Sequence, residues 1–203
     1  MDILNAKMAV HGFSFRLKGA TRRIVNPDWS TSVVQRFEWI PKLREGEYKT
    51  LNVFTVMRPL SYDGLPIGGD ATYPEPPEGQ AAALPIDGVR LDQKMLNPIK
   101  QQKYSVENAL VHEVGHWLNL LHTFEFGCSE FGDWIEDTNW EAEASETCDF
   151  SKNTCPDRPA NQTVGDPVNN LMDYAIYDKS CGKPFEFTDG QRYVQGNKVS
   201  SSW

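Results

Sequence analysis

The sequence predicts an α+β fold, with a twisted mixed sheet and a histidine-bearing helix in its N-terminal part and a loop-rich C-terminal part. Three observations predict it. Runs of β-forming residues occur at 13–17, 51–57 and 88–92, and a helical apolar pattern carries His112 and His116. All four cysteines follow that helix, in the region poorest in periodic apolar residues. At 203 residues, 39% hydrophobic and 11% aromatic, the chain is expected to form one globular unit, 1–203, around one core. Two subdomains, 1–119 and 120–203, on either side of a cleft fit that size.

In chain order, Phe13-Ser14-Phe15-Arg16-Leu17 alternates like a strand. From Thr31 to Leu43, Val33, Val34, Phe37 and Ile40 have helical spacing until Pro41 disrupts it. Leu51 to Met57 is nearly continuous in β formers, as a buried strand should be. Tyr73 to Gly79, with three prolines, reads as a loop or polyproline segment. Gly88 to Asp92 is read as an edge strand lining the cleft. A helix is expected near 105–119, with Ser105 as N-cap, Glu107 facing the positive helix end, and Val106, Ala109, Leu110, Val114, Trp117 and Leu118 packing inward. There are no internal repeats.

Within that helix, His112 and His116 are four residues apart and share a face, so both imidazoles can reach one metal ion. A third ligand cannot come from the same rigid helix with good tetrahedral geometry. The chain must turn and bring His122 back, and Asn119 is the residue whose short polar side chain tolerates the left-handed conformation such a turn needs. Three neutral imidazoles leave one coordination position open, which suits a catalytic rather than a structural zinc. Glu113 is then the general base that takes a proton from metal-activated water and passes it to a leaving amine, so the predicted reaction is amide hydrolysis. The competing readings are a metal-free domain whose histidines merely pack, and another one-metal hydrolase such as a deaminase.

From His112 to Phe124, and again at Asn170-Leu171-Met172-Asp173-Tyr174, the chain resembles the pappalysin-type (cytophagalysin-like) metzincin zinc endopeptidases, in particular secreted fungal and bacterial members. The resemblance implies a metzincin-like zincin fold and hydrolysis of extended protein substrates lying antiparallel to an edge strand. It implies that the second string is a Met-turn, with Met172 as the apolar floor beneath the metal and Tyr174 stabilising the oxyanion. It extends to Asn5–Leu17 as the end of a first helix and the next strand, to Asn52–Met57 as a central strand, and to Phe185–Gln191 as the lead into a final helix.

Cys128, Cys148, Cys155 and Cys181 allow three pairings that sequence cannot choose among, and a four-thiolate metal site is opposed by the lack of any Cys-x-x-Cys pair. The resemblance implies Cys128 with Cys155 and Cys148 with Cys181, and with disulfides an oxidising, extracellular compartment. It also marks Asp133, Asp137 and Thr138 as candidate calcium ligands, their hard oxygens being suitable, with Asp166 and Asn169 as weaker ones; the alternative is a solvated acidic loop. Asp178 is a candidate for selecting basic side chains after the scissile bond.

The net charge of −8, without clustered Lys or Arg, disfavours nucleic acid and anionic membranes, and no apolar run is long enough to cross a bilayer. The expected partner is a protein or peptide substrate, and the chain is expected to be monomeric. Asn161-Gln162-Thr163 is a glycosylation sequon. Relative to the resembled family, the chain starts inside the first helix, without a signal peptide, a pro-segment or the preceding strand. The alternative function is therefore an inactive or truncated relative that binds zinc and protein segments without turnover.

Overall fold

The computed structural model describes residues 2–9, 12–24, 33–57, 59–61, 63–96, 106–129, 131–158, 162, 165–178 and 180–201. Ser105 and the sequon residue Asn161 lie outside them. Helix α1 (Asp2–Met8) buries Leu4 and Met8 in the main core. Its Lys7 Nζ donates to Phe185 O at 3.2 Å, tying the start of the chain to its C-terminal part.

Residues 13–17, expected as a strand, are irregular. The backbone N–H of Phe15 donates to Asn5 Oδ1 at 2.7 Å, and Phe15 O accepts from Asn5 Nδ2 at 2.9 Å, so one α1 side chain takes both groups that a strand would offer to a ladder.

Helix α2 (Val33–Leu43) continues through Pro41 rather than breaking there. The proline falls in the last turn, where a single backbone bond is lost and Arg44 N still donates to Ile40 O at 2.8 Å. Trp39 and Ile40 form its buried face, whereas Phe37, expected inside, is exposed beneath the Arg36 guanidinium. Trp39 meets Phe54 edge-to-face at 5.3 Å, fixing α2 to the sheet.

The sheet is mixed, as expected. Strands β1 (Val53–Val56), β2 (Gly69–Ala71) and β3 (Val89–Asp92) lie in the order β1-β3-β2, with β1 parallel and β2 antiparallel to β3. Two strand assignments are corrected. The 88–92 run is the central strand of the three, with Val89, Arg90 and Leu91 buried, and β2 is the edge beside the site. The 51–57 run lies at the opposite edge of the described sheet and is only half-covered, its Val53 and Met57 being exposed. Composition reported its β preference but not its place in the strand order.

The Pro-rich stretch is extended to Pro76 and then opens helix α3 (Pro77–Ala83), because Pro77 stands at the first helical position, where a missing N–H costs nothing.

Helix α4 (Val106–Trp117) packs across β2 and β3 and onto α1. Ala109, Val111, Val114, Trp117 and Leu118 are buried and join Val89, Leu91, Met172, Ile176, Phe185 and Phe187 in one core. Beyond α4 the described elements are a 3-10 turn (Tyr174–Tyr177) and helix α5 (Asp189–Ser201). Long loops between them are held by the Cys128–Cys155 and Cys148–Cys181 disulfides, the pairing the resemblance implies, and no cysteine is left for a thiolate metal site. Among the described residues, no helix is long and apolar enough to cross a membrane.

Candidate metal centre

Helix α4 ends in a turn that accounts for the third histidine. Asn119 N donates to His116 O at 2.9 Å and Leu120 N to Gly115 O at 2.9 Å, the paired bonds of a Schellman motif, with Asn119 left-handed at φ 77°. The reversal returns His122 toward the helix. His116 Nε2 then lies 3.1 Å from both His112 Nε2 and His122 Nε2. Among the described residues this is the only group of three or more His, Cys, Asp or Glu side chains with ligand atoms converging, all within 4.8 Å of one another.

The other ring nitrogens are engaged by oxygen. His112 Nδ1 donates to Leu171 O at 2.7 Å, His116 Nδ1 to Leu120 O at 2.7 Å, and His122 Nδ1 faces Glu125 Oε2 at 3.1 Å. With protons on Nδ1, the three Nε2 lone pairs point at one another, which is repulsive unless a cation lies between them. Burial holds all three rings neutral: His112 well below its ordinary value, His116 down to about 4 and His122 down to about 3, the latter helped by His116. The donor set therefore fits zinc.

Glu113 is buried next to these ligands, and among the described residues its Oε2 has no hydrogen-bond partner. Burial pushes its carboxyl well above the usual range, Asp70 adds to the rise, and Arg90 opposes it. Behind it, Arg90 Nε and a terminal nitrogen hold Asp70 from across the β2–β3 pair at 2.6 and 2.5 Å, and Arg36 adds a third bond at 2.7 Å. The strand in front of Glu113 tolerates no side chain at Gly69, since a Cβ there would lie 2.7 Å from Glu113 Oε1 and 2.8 Å from Arg90 O.

Met172 is fully buried and fills the space left by Gly115, the residue before His116, where a Cβ would meet its sulfur at 2.5 Å. Its segment is pinned by Leu171 N to Glu186 O at 3.0 Å, Thr123 N to Met172 O at 3.3 Å, and Met172 N to Asn170 Oδ1 at 2.8 Å. Asn170 in turn exchanges hydrogen bonds with Gln191, and Gln191 forms a capping box with Thr188 at the start of α5. The Tyr174 ring stands edge-on to His122 at 5.0 Å and the residue is 38% exposed.

The candidate calcium ligands are divided. Asp133 and Thr138 are buried, and the Asp133 carboxyl faces the Thr138 hydroxyl and the Gln191 side chain, whereas Asp137 is exposed and accepts from Gly190 N at 2.9 Å. Asp166 is taken up by Thr154 and Arg158, and Asn169 donates to Pro184 O at 3.4 Å. The Asp178 carboxylate accepts from Ser180 N and Oγ within its own loop and from Cys148 N.

Sequence reasoning missed Gly69, Glu125 and Tyr73. The Tyr73 hydroxyl lies 2.9 Å from His116 Nδ1 and its ring 5.3 Å from that imidazole. The spacing of Glu125, three residues after His122, and the Gly68-Gly69 pair were visible signals; nothing in the Pro-rich stretch marked Tyr73.

Residues 32–193 match the family described as pregnancy-associated plasma protein-A, a peptidase family. An extracellular metalloprotease of Colletotrichum graminicola is 36% identical over 100% of this chain and 66% of its own length. One of Verticillium alfalfae is 33% identical over 100% of this chain and 67% of its own. The chain thus spans about two thirds of these relatives. Mature mirolysin of Tannerella forsythia, solved in complex with a cleaved peptide, superposes with a TM-score of 0.61 at 24% identity, covering 82% of this chain and 60% of that one, a likeness of fold.

Proposed function

The chain belongs to the pregnancy-associated plasma protein-A family of metallopeptidases, and from that premise we propose that it is a zinc-dependent endopeptidase hydrolysing extended protein or peptide substrates. One observation carries this reading: three Nε2 atoms converge with every Nδ1 committed to an oxygen, beside a buried carboxylate that has an unpartnered oxygen. His112, His116 and His122 would hold the zinc, whose Lewis acidity polarises the scissile carbonyl and acidifies water.

The remaining roles belong to the chain. A substrate backbone pairs antiparallel with β2, the strand at the edge of the described sheet, behind which Gly69 leaves room for the Glu113 carboxyl. Glu113, made more basic by burial, takes the proton of the attacking water and delivers it to the leaving nitrogen. Tyr174 donates its hydroxyl hydrogen to the oxyanion that develops on the carbonyl, and Met172 supplies the apolar floor. Residues 1–119 and 120–203 form the two walls of a single catalytic unit. Calcium at Asp133 and Thr138 is supported by two buried oxygen-bearing side chains that face each other; titration of the metal-free chain with calcium, beside Asp133→Asn, tests it. The two disulfides and the extracellular designation of the relatives support secretion.

The deciding experiment is cleavage of a denatured protein by the zinc-loaded chain beside Glu113→Ala. Cleavage lost on chelation and in the variant is expected. Zinc bound by both proteins with no cleavage by either would overturn the enzyme reading in favour of a non-catalytic protein-binding relative.

A further inference from the structure

We propose that Phe126, Phe131 and Trp134 form a second substrate subsite, outside the reacting centre, which holds an aromatic or branched aliphatic side chain within about six residues of the scissile bond. The proposal rests on the endopeptidase reading. These rings are 49%, 51% and 64% exposed. They nevertheless contact one another: Phe131 stacks on Trp134 at 4.9 Å, and Phe126 meets Trp134 edge-on at 6.1 Å. Trp134 also has φ 66°, a conformation that a bulky side chain strongly disfavours. A strained backbone that presents an indole to water points to a use for that indole.

The patch is preorganised. Successive turn bonds run from Glu125 N to His122 O, Gly127 N to Phe124 O, Gly132 N to Ser129 O and Trp134 N to Phe131 O, and the Cys128–Cys155 disulfide anchors the ribbon. A Cβ on Gly132 would lie 2.9 Å from Trp140 Cδ1, so Trp140 supports the loop from below.

It is also continuous with the cleft. Phe124 stacks on His122 at 4.8 Å and meets Tyr174 at 5.0 Å, and Phe126 follows two residues later. Four residues of chain span at most about 14 Å from His122 to Phe126, and the Trp134 ring centre is 6.1 Å from that of Phe126, so an extended substrate advancing about 3.3 Å per residue reaches the patch within about six residues. Rings meeting at 23° and 88° form a notch for one bulky side chain rather than a coplanar shelf for a sugar. A net charge of −8 opposes an anionic bilayer.

The test compares a short peptide containing the cleavage site with two longer ones that extend it in both directions, carrying at the fifth residue either leucine or serine. The zinc-loaded chain should cleave the leucine peptide with a kcat/KM about tenfold above the serine peptide, through KM, as burial of one such side chain allows. Trp134→Gly relieves the strained backbone while deleting the ring. It should cleave the short peptide at the unaltered rate, which confirms folding, and lose the preference. Failure to cleave the short peptide would overturn the endopeptidase reading and the subsite with it. Cleavage with no preference, or a preference kept by Trp134→Gly, would overturn the subsite alone. So would absence of preference with an emission shift on phosphatidylcholine vesicles that Trp134→Gly lacks, which would reassign the patch to a membrane.

Discussion

Gly115→Ala sets two opposed effects of known size against each other. Gly115 lies inside α4, where alanine is worth about 1 kcal/mol more than glycine in a helix interior. The added Cβ, however, would stand 2.5 Å from Met172 Sδ and 3.4 Å from Phe187 Cε1. Ordinary contact needs about 3.5–4.0 Å, so the sulfur must retreat by roughly 1 Å. Met172 is fully buried in a segment bonded at Leu171, Met172 and Thr123, and it has little freedom to move. Overpacking of this kind costs about 1–3 kcal/mol, so the net effect is a loss of up to about 2 kcal/mol despite the better helix former. Urea midpoints of the metal-free wild type, Gly115→Ala, Met172→Ala and the double variant measure it. With Met172 truncated the clash disappears, and Gly115→Ala should become stabilising, leaving a coupling of about 1–3 kcal/mol. Stabilisation by Gly115→Ala in the wild-type background would refute the packing account.

Gly69→Ala should displace Glu113 through the 2.7 Å contact with its Oε1, lowering kcat by about 100-fold while bound zinc stays stoichiometric; joint loss of zinc and activity would contradict a positional role. Glu125→Gln removes the carboxylate facing His122 Nδ1, and zinc affinity measured against a competing chelator should fall about tenfold or more; unchanged affinity would show that Glu125 does not orient the ligand. Asp173, buried and facing Glu141, has its carboxyl raised from 3.8 to about 7. The folded state thus keeps a proton that the unfolded chain releases, and stability present near pH 4 is lost as pH rises through about 7. Asp173→Asn retains an oxygen for Ser145 N and Tyr174 N but cannot ionise, so urea midpoints between pH 4 and 8 should fall less steeply than in the wild type; parallel slopes would exclude Asp173 as the cause.

The metal centre was legible because its information is local. A four-residue helical spacing, a residue that tolerates positive φ and a third histidine specify the convergence without reference to the rest of the fold, and Asn119 does take the left-handed conformation. Cysteine pairing became readable only through family resemblance, since each bridge joins segments distant in sequence. Strand order was not legible: residues 88–92 and 51–57 both carry β-forming side chains, yet among the described strands only the first has neighbours on both sides. Alternation at 13–17 misled for a related reason, because the Asn5 amide competes for the backbone groups of Phe15. Gly69 was missed because its constraint comes from a side chain on another element, Glu113, and a glycine in isolation does not disclose what approaches it.

The oxygens that hold the three imidazoles come from different parts of the chain: Leu120 O from the helix-ending turn, the Glu125 carboxylate from the next loop, and Leu171 O from the segment 170–174. The last is held farthest from the motif. Thr188 and Gln191 cap α5, Gln191 pairs with Asn170, Asn170 Oδ1 receives Met172 N, and Met172 fills the cradle at Gly115 one residue before His116. Each of these hydrogen bonds contributes only about 0.5–1.5 kcal/mol net, but a buried member left unpaired costs about 1–3 kcal/mol, so loss at the far end of the relay is not absorbed locally. A catalytic metal needs its ligands placed to within a fraction of an ångström. The fold meets that need by making the first turn of its last helix part of the support for the three converging histidines.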